Sequence, residues 1–81
     1  MPTALLADDE PHLAAYLRDA LGRAWPELDV LHVARNGTEA AERIAALQPD
    51  VAFLDIRMPG LTGLDVAQGI EGPTRVVFVT A

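Results

Sequence analysis

The chain has 81 residues, 51% of them hydrophobic and 22% charged, which is the composition of one small globular domain and excludes a disordered tail. Twelve acidic residues against six basic ones give a net charge of −6, which argues against direct nucleic-acid binding by this segment and makes a divalent cation a natural guest for clustered acids. Without cysteine there is no disulfide framework or thiolate metal site, and no apolar run approaches the ~20 residues that span a bilayer.

Met1-Pro2-Thr3 does not open a signal peptide, so a cytoplasmic location with no membrane contact is expected. Thr3 to Ala7 reads as a strand whose apolar run stops at Asp8-Asp9. Asp9-Glu10-Pro11 reads as a helix start, with Asp9 as N-cap and Pro11 in the first turn, where its missing N–H has no helical role. The helix is expected to reach about Ala24, with Leu13, Leu17, Leu21 and Ala24 as its core face and Trp25 as a packing residue at its end. Asp29 to Ala34 reads as a second strand; His32, in or beside it, has no partner visible in the sequence. Asn36-Gly37-Thr38 is a turn and cap before a helix over Glu39 to Gln48, with Ala40, Ile44 and Leu47 inward.

Val51 to Leu54 is a third apolar run, and it stops at Asp55. Ile56 to Gly63, holding Met58-Pro59-Gly60, is a loop, and Leu64 to about Ile70 a short helix. Val76 to Val79 is a fourth strand that stops at Thr80. This alternation implies right-handed crossovers and an open parallel α/β sheet of about four strands and three helices, with helices on both faces. A Val-Val-Phe-Val run normally lies inside a sheet, so an open apolar edge is expected there, able to pair with a second copy or to swap elements with it.

Ligands of open α/β sheets bind at the carboxyl ends of the strands. One folding assumption therefore brings Asp8, Asp9, Asp55 and Thr80 to a single edge. Three carboxylates are hard oxygen donors and suit Mg²⁺ better than zinc or copper, with the backbone carbonyl of Arg57 as a further donor. An aspartate is a known nucleophile toward phosphoryl groups, and a threonine hydroxyl beside it is suited to bond a phosphoryl oxygen. His12 lies one turn from the acids, but Mg²⁺ prefers oxygen and a solvated helix histidine is the simpler reading. No Gly-x-Gly-x-x-Gly occurs, so Gly37, Gly60 and Gly63 are turn glycines.

Taken together, Asp8-Asp9-Glu10-Pro11, Asp55-Ile56-Arg57-Met58-Pro59, Gly63 and Val79-Thr80-Ala81 resemble the receiver domain of two-component response regulators. The resemblance covers the whole chain and implies a flavodoxin-like topology. It implies that Asp55 accepts a phosphoryl group from a phosphohistidine on a sensor histidine kinase. Asp9 would hold Mg²⁺ directly and Asp8 through water, with the Arg57 carbonyl completing the site and Thr80 serving as the switch hydroxyl. The Asp-Asp-Glu-Pro start and Phe-Val-Thr-Ala end are most similar to regulators with a LytTR-type output domain, which implies transcription regulation.

The family places a lysine and an aromatic switch residue on a fifth strand, whereas all six basic residues here are arginine and the pattern reaches only a fourth strand. The expectation is therefore that residues 1–81 form the N-terminal two-thirds of a single receiver, in which metal binding survives weakly and switching fails. Two other readings compete with a phospho-accepting module. One is a Mg²⁺-dependent aspartyl-phosphate hydrolase, which would need a second aspartate where Arg57 stands. The other is an assembly piece joined through its open sheet edge.

Overall fold

Strands β1 (Thr3–Ala7), β2 (Asp29–Ala34), β3 (Val51–Asp55) and β4 (Arg75–Val79) form one parallel sheet in the order β2-β1-β3-β4. Helices α1 (Pro11–Ala24), α2 (Gly37–Leu47) and α3 (Gly63–Gln68) make the crossovers. This is the open α/β architecture expected from the run pattern. The computed structural model describes residues 1–79, so Thr80 and Ala81 lie outside the described residues.

Alternation along the strands sorts the apolar side chains onto two faces. Leu5, Ala7, Ala34, Ala52 and Leu54 join Ala40 and Ile44 of α2, Val66 of α3 and the loop residue Met58 in one buried cluster. The opposite face carries α1, which reaches the sheet through Ala14, its one buried residue. β1 is sealed on both faces and β3 on one: Leu5, Ala52 and Leu54 have no exposed surface and Leu6 has 1%, while Val51 and Phe53 are half-buried. Near-continuous apolar runs are what a strand covered on both faces requires.

The N-terminal ends of the central strands are tied by side chains. The Asp50 carboxylate accepts from the backbone N–H of Thr3 at 2.8 Å and from its hydroxyl at 3.2 Å, while the Asp50 N–H donates back to the Thr3 hydroxyl at 3.0 Å. The Thr74 hydroxyl, in a buried residue, donates to the Pro49 carbonyl at 2.6 Å and brings the start of β4 alongside. These bonds hold the strand starts level, so the strand ends come out level too.

Three local expectations are corrected. The cap of α1 is Glu10, whose carboxylate accepts from His12 N–H, and not Asp9. Asp8 has already turned the chain by accepting from Glu10 N–H at 2.9 Å, which moves the helix start one residue on. Second, α2 begins at Gly37 because Asn36 caps it, accepting from Glu39 N–H at 2.8 Å. Third, Leu13 of α1 is 45% exposed and Ala24 is exposed, with Leu17 and Leu21 half-buried. The helix rests on the sheet through Ala14, which lies about 100° around the helix from Leu13 but only about 60° from Leu17 and about 20° from Leu21, so Leu13 looks to solvent while Leu17 and Leu21 are half-buried. Trp25 is 39% exposed and Leu47 38%, so neither is a core residue among the described contacts. Among the described residues β4 is an outer strand of the sheet, and its Val77 and Phe78 are 44% and 41% exposed.

Edge strand β2 is tied to α2 by the one ion pair among the described residues. His32 Nε2 lies 2.6 Å from Glu39 Oε2. The partner missing from the sequence reading thus comes from the first turn of the next helix. A bulge at Leu31 precedes it, since Ala4 pairs with Val30 and Leu5 with His32. The bulge leaves His32 on the α2 face, with Leu5 and Ala34.

Two predictions follow from these contacts. Gly22 lies inside α1 with open space where a Cβ would be, so Gly22→Ala is expected to raise stability by about 0.5–1 kcal/mol in urea unfolding. Hydrogen bonding to His32, above all, holds the Glu39 carboxyl below its ordinary value of 4.5. A lowered carboxyl stabilises the fold above its unfolded value and loses that contribution as pH falls through the folded one. The stability difference between wild type and Glu39→Gln is therefore expected to be full at pH 6 and to vanish in acid below the folded value.

Candidate functional site

The site begins where β1 and β3 end. Their pairing runs in register from Ala4 with Val51 to Ala7 with Leu54, so the next residues, Asp8 and Asp55, emerge side by side. Asp8 is anchored on its other flank by its N–H, which donates to the Ala34 carbonyl of β2 at 3.0 Å. Strand order reverses between β1 and β3, because α1 leads outward to β2 while α2 and α3 lead the other way. Ligands of open α/β sheets favour this reversal point, since the diverging crossovers leave a crevice there.

Asp8, Asp9 and Asp55 each offer a carboxylate oxygen, and these oxygens all lie within 4.8 Å of one another. Asp8 is buried, Asp55 half-buried and Asp9 exposed. Burial is the main force raising the Asp8 carboxyl above its ordinary value of 3.8; the negative charges of Asp55, Asp9 and Glu10 add to it, and the hydrogen bond from Glu10 N–H opposes it. One Asp55 oxygen accepts from Arg57 N–H at 3.1 Å, folding the loop back over the strand end. Within the described residues no basic side chain lies within ion-pairing distance of these acids. A buried carboxylate crowded by like charges and lacking a cationic partner is the electrostatic signature of a cation site. The donor set contains oxygen alone, which fits a hard divalent ion.

The loop after Asp55 is held closely. Gly63 N–H donates to the Ile56 carbonyl at 2.9 Å. A Cβ on Gly63 would lie 3.0 Å from the Asp55 carbonyl carbon and from the Ile56 Cα, so only glycine permits this approach. Gly60 has φ +78, the left-handed region that favours glycine. Thr62 and Asp65 form a capping box that starts α3 immediately afterwards.

Of the residues singled out from sequence, the structure brings Asp8, Asp9 and Asp55 together and sets Arg57 in the loop above them. Thr80 lies outside the described residues, one position past Val79, which pairs with Asp55. His12 lies in the first turn of α1, exposed. A cavity of about 460 Å³ between α2 and α3 includes none of the three acids in its lining. A smaller one of about 270 Å³ touches Asp8 and is flanked by Arg18 and Arg35. Of these two cavities, only the smaller reaches the acid cluster, through Asp8.

The sequence profile of the response regulator receiver domain matches residues 4–81. The chain belongs to the response regulator receiver family. Receivers are modules of two-component systems, and the resemblance noted from the motifs is thereby established. An uncharacterized response regulatory protein of Vibrio cholerae is 46% identical over 82 residues, which is 98% of this chain and 31% of that protein. A protein-glutamate methylesterase/protein-glutamine glutaminase of Geobacillus kaustophilus is 43% identical over 79 residues, 95% of this chain and 22% of that protein. The chain thus spans less than a third of the length of these curated relatives. Among solved structures, the response regulator TrrA of Thermotoga maritima in complex with Mg(2+)-BeF superposes with a TM-score of 0.89 at 32% identity, covering 100% of this chain and 70% of that one.

Asp8 is expected to oppose folding at neutral pH in the absence of a cation. A carboxyl raised on folding favours the native state below its unfolded value and loses that contribution as pH rises through the folded one. Asp8→Asn keeps an oxygen for the Glu10 N–H and removes the charge. Metal-free urea unfolding should find the variant more stable than wild type at pH 7, with the gap closing below about pH 4.

Proposed function

We propose that this receiver accepts a phosphoryl group on Asp55 from the phosphohistidine of a sensor histidine kinase, with Mg²⁺ held by Asp8, Asp9, Asp55 and the Arg57 carbonyl. The observation that carries the reading is the convergence of three carboxylate oxygens within 4.8 Å at the β1/β3 reversal point. The receiver family and the Mg(2+)-BeF complex of its relative TrrA support it.

In the transfer, an Asp55 oxygen attacks phosphorus, an O–P bond forms, and the P–N bond to the donor imidazole breaks, its electron pair staying on nitrogen. A bound Mg²⁺ supplies neutralisation of the charge that accumulates as a dianionic group approaches carboxylates. Arg57 N–H, donating to one Asp55 oxygen, fixes the carboxylate plane and leaves the other oxygen to attack. The Thr80 hydroxyl is assigned to the phosphoryl oxygens, as the family motif implies. Phosphorylation then biases two conformations of the domain and so controls an output domain, for which transcription regulation through a LytTR-type module is the proposal. A cytoplasmic setting accords with a kinase partner, and no described helix is long and apolar enough to cross a membrane.

Arg57 stands where an aspartyl-phosphate hydrolase would carry its second aspartate, so the phosphoryl group is proposed to be held as a signal and not turned over as substrate. With acetyl phosphate and Mg²⁺, intact-mass spectrometry is expected to find one phosphoryl adduct on the wild type and none on Asp55→Asn. An adduct that persists in the variant would place the chemistry elsewhere. Its absence from both, with the wild type folded, would refute phospho-acceptance by this chain.

A further inference from the structure

We infer that the first turn of α2 is the seat that positions the Asp55 loop, with Gly37 and the His32–Glu39 pair acting as positioning residues for the proposed metal and phosphoryl site. The inference rests on that proposed reading, yet no residue of the seat belongs to the acid cluster.

The contact itself is backbone on backbone. A Cβ on Gly37 would lie 2.6 Å from the Leu61 carbonyl carbon and 2.7 Å from the Leu61 Cβ, and it would overlap the Leu61 carbonyl oxygen. Real side chains do not approach so closely. The loop therefore lies directly against the helix turn, and a backbone contact cannot relax by changing a rotamer. Beyond its local bonds from Arg57 N–H and Gly63 N–H, the loop has two attachments that reach α2. One is Met58, in the core cluster beside Ala40 and Ile44, and the other is Leu61 on Gly37.

The seat is itself fixed to the sheet. Asn36 caps the turn through Glu39 N–H, and the Glu39 carboxylate spans back to His32 Nε2 on β2 at 2.6 Å. A continuous path of contacts thus runs from edge strand β2 through Glu39 and Gly37 to Leu61, and along the loop to Arg57 and Asp55. Mg²⁺ demands near-ideal octahedral geometry, so a small displacement of a loop carbonyl weakens it disproportionately. Supporting contacts one layer behind a metal site commonly matter about 10–100-fold in affinity.

The test uses the ¹⁵N-labelled chain and follows the amide resonances of Arg57, Gly60 and Gly63, first without metal and then through a Mg²⁺ titration. Gly37→Ala is made in a Gly22→Ala background to offset lost stability, and Gly22→Ala alone is the control. The control should leave shifts and affinity unchanged. Gly37→Ala should move the loop amides in the metal-free protein and weaken Mg²⁺ by about tenfold or more. His32→Ala should do the same to a smaller degree, roughly threefold, and His32→Gln, which keeps a donor for Glu39, should restore wild-type values. Folded variants with unmoved loop amides and wild-type affinity would overturn the inference. If Gly37→Ala does not fold, the His32→Ala and His32→Gln pair decides in the same way. Should wild type and Asp55→Asn prove equally indifferent to Mg²⁺, the metal reading falls, and the metal-free shifts still decide the coupling.

Discussion

In-register pairing of β1 with β3 holds together side chains that electrostatics pushes apart. Asp8 and Asp55 are neighbours because Ala7 pairs with Leu54, and that register is secured at the far end by the reciprocal Thr3–Asp50 hydrogen bonds. Apolar burial along both strands supplies the force. Each fully buried aliphatic side chain contributes about 1.5–3 kcal/mol, and Leu5, Leu6 and Leu54 are sealed. A slip of one residue would turn each of these leucines to the opposite face and part the two aspartates together. Packing and site are therefore specified by the same alignment, and neither can drift without the other.

The sequence made the central half of this arrangement legible for a simple reason. Strands of a covered parallel sheet are near-continuous apolar runs, so β1 and β3 announce themselves, and the aspartate that stops each run marks the ligand edge. The acid cluster followed from placing Asp8, Asp9 and Asp55 at those stops. What stayed hidden depends on contacts between segments far apart in sequence. The leucine stripe of α1 has the right period for a core face, but period cannot say which side of a helix a neighbour will occupy, and Ala14 proved to be the contact. The partner of His32 sits on another element, and the spacing of seven residues matches no local motif. Gly37 read as a turn glycine because a turn also explains it; only the proximity of Leu61 reveals the closer constraint. Asp50, which secures the register, carries no local motif that marks this role, since its partner Thr3 lies 47 residues away in sequence.

Evenly distributed charge would have served solubility as well as the observed −6 does, yet three of the twelve acids meet at one point. Their mutual repulsion and the burial of Asp8 weaken the native state locally. A domain of this length has total stability of about 4–12 kcal/mol by the usual per-residue figures, so one strained cluster is a noticeable fraction of it. A cation that binds only the folded chain returns stability by mass action, about 2.7 kcal/mol at one hundred times its dissociation constant. In the proposed reading the ion thereby reports on folding as well as assisting chemistry, because the repulsion that it relieves exists only while β1 and β3 stay in register.

That linkage also explains why the loop beyond Asp55 is pinned so tightly. A site made only of three mutually repelling carboxylates would spread apart, and the cheapest motion available to it is for the loop to lift away with Asp55. Gly63 against the Asp55 backbone, Met58 in the core and Leu61 on the first turn of α2 each oppose that motion from a different direction. The two glycines matter because they let main chain meet main chain, where stiffness is greatest. The proposed coupling would run by these contacts from the acids into α2 and, through Glu39 and His32, to the edge of the sheet. A change of charge at Asp55 would be felt along the same contacts in reverse, since coupling between two positions acts equally in both directions.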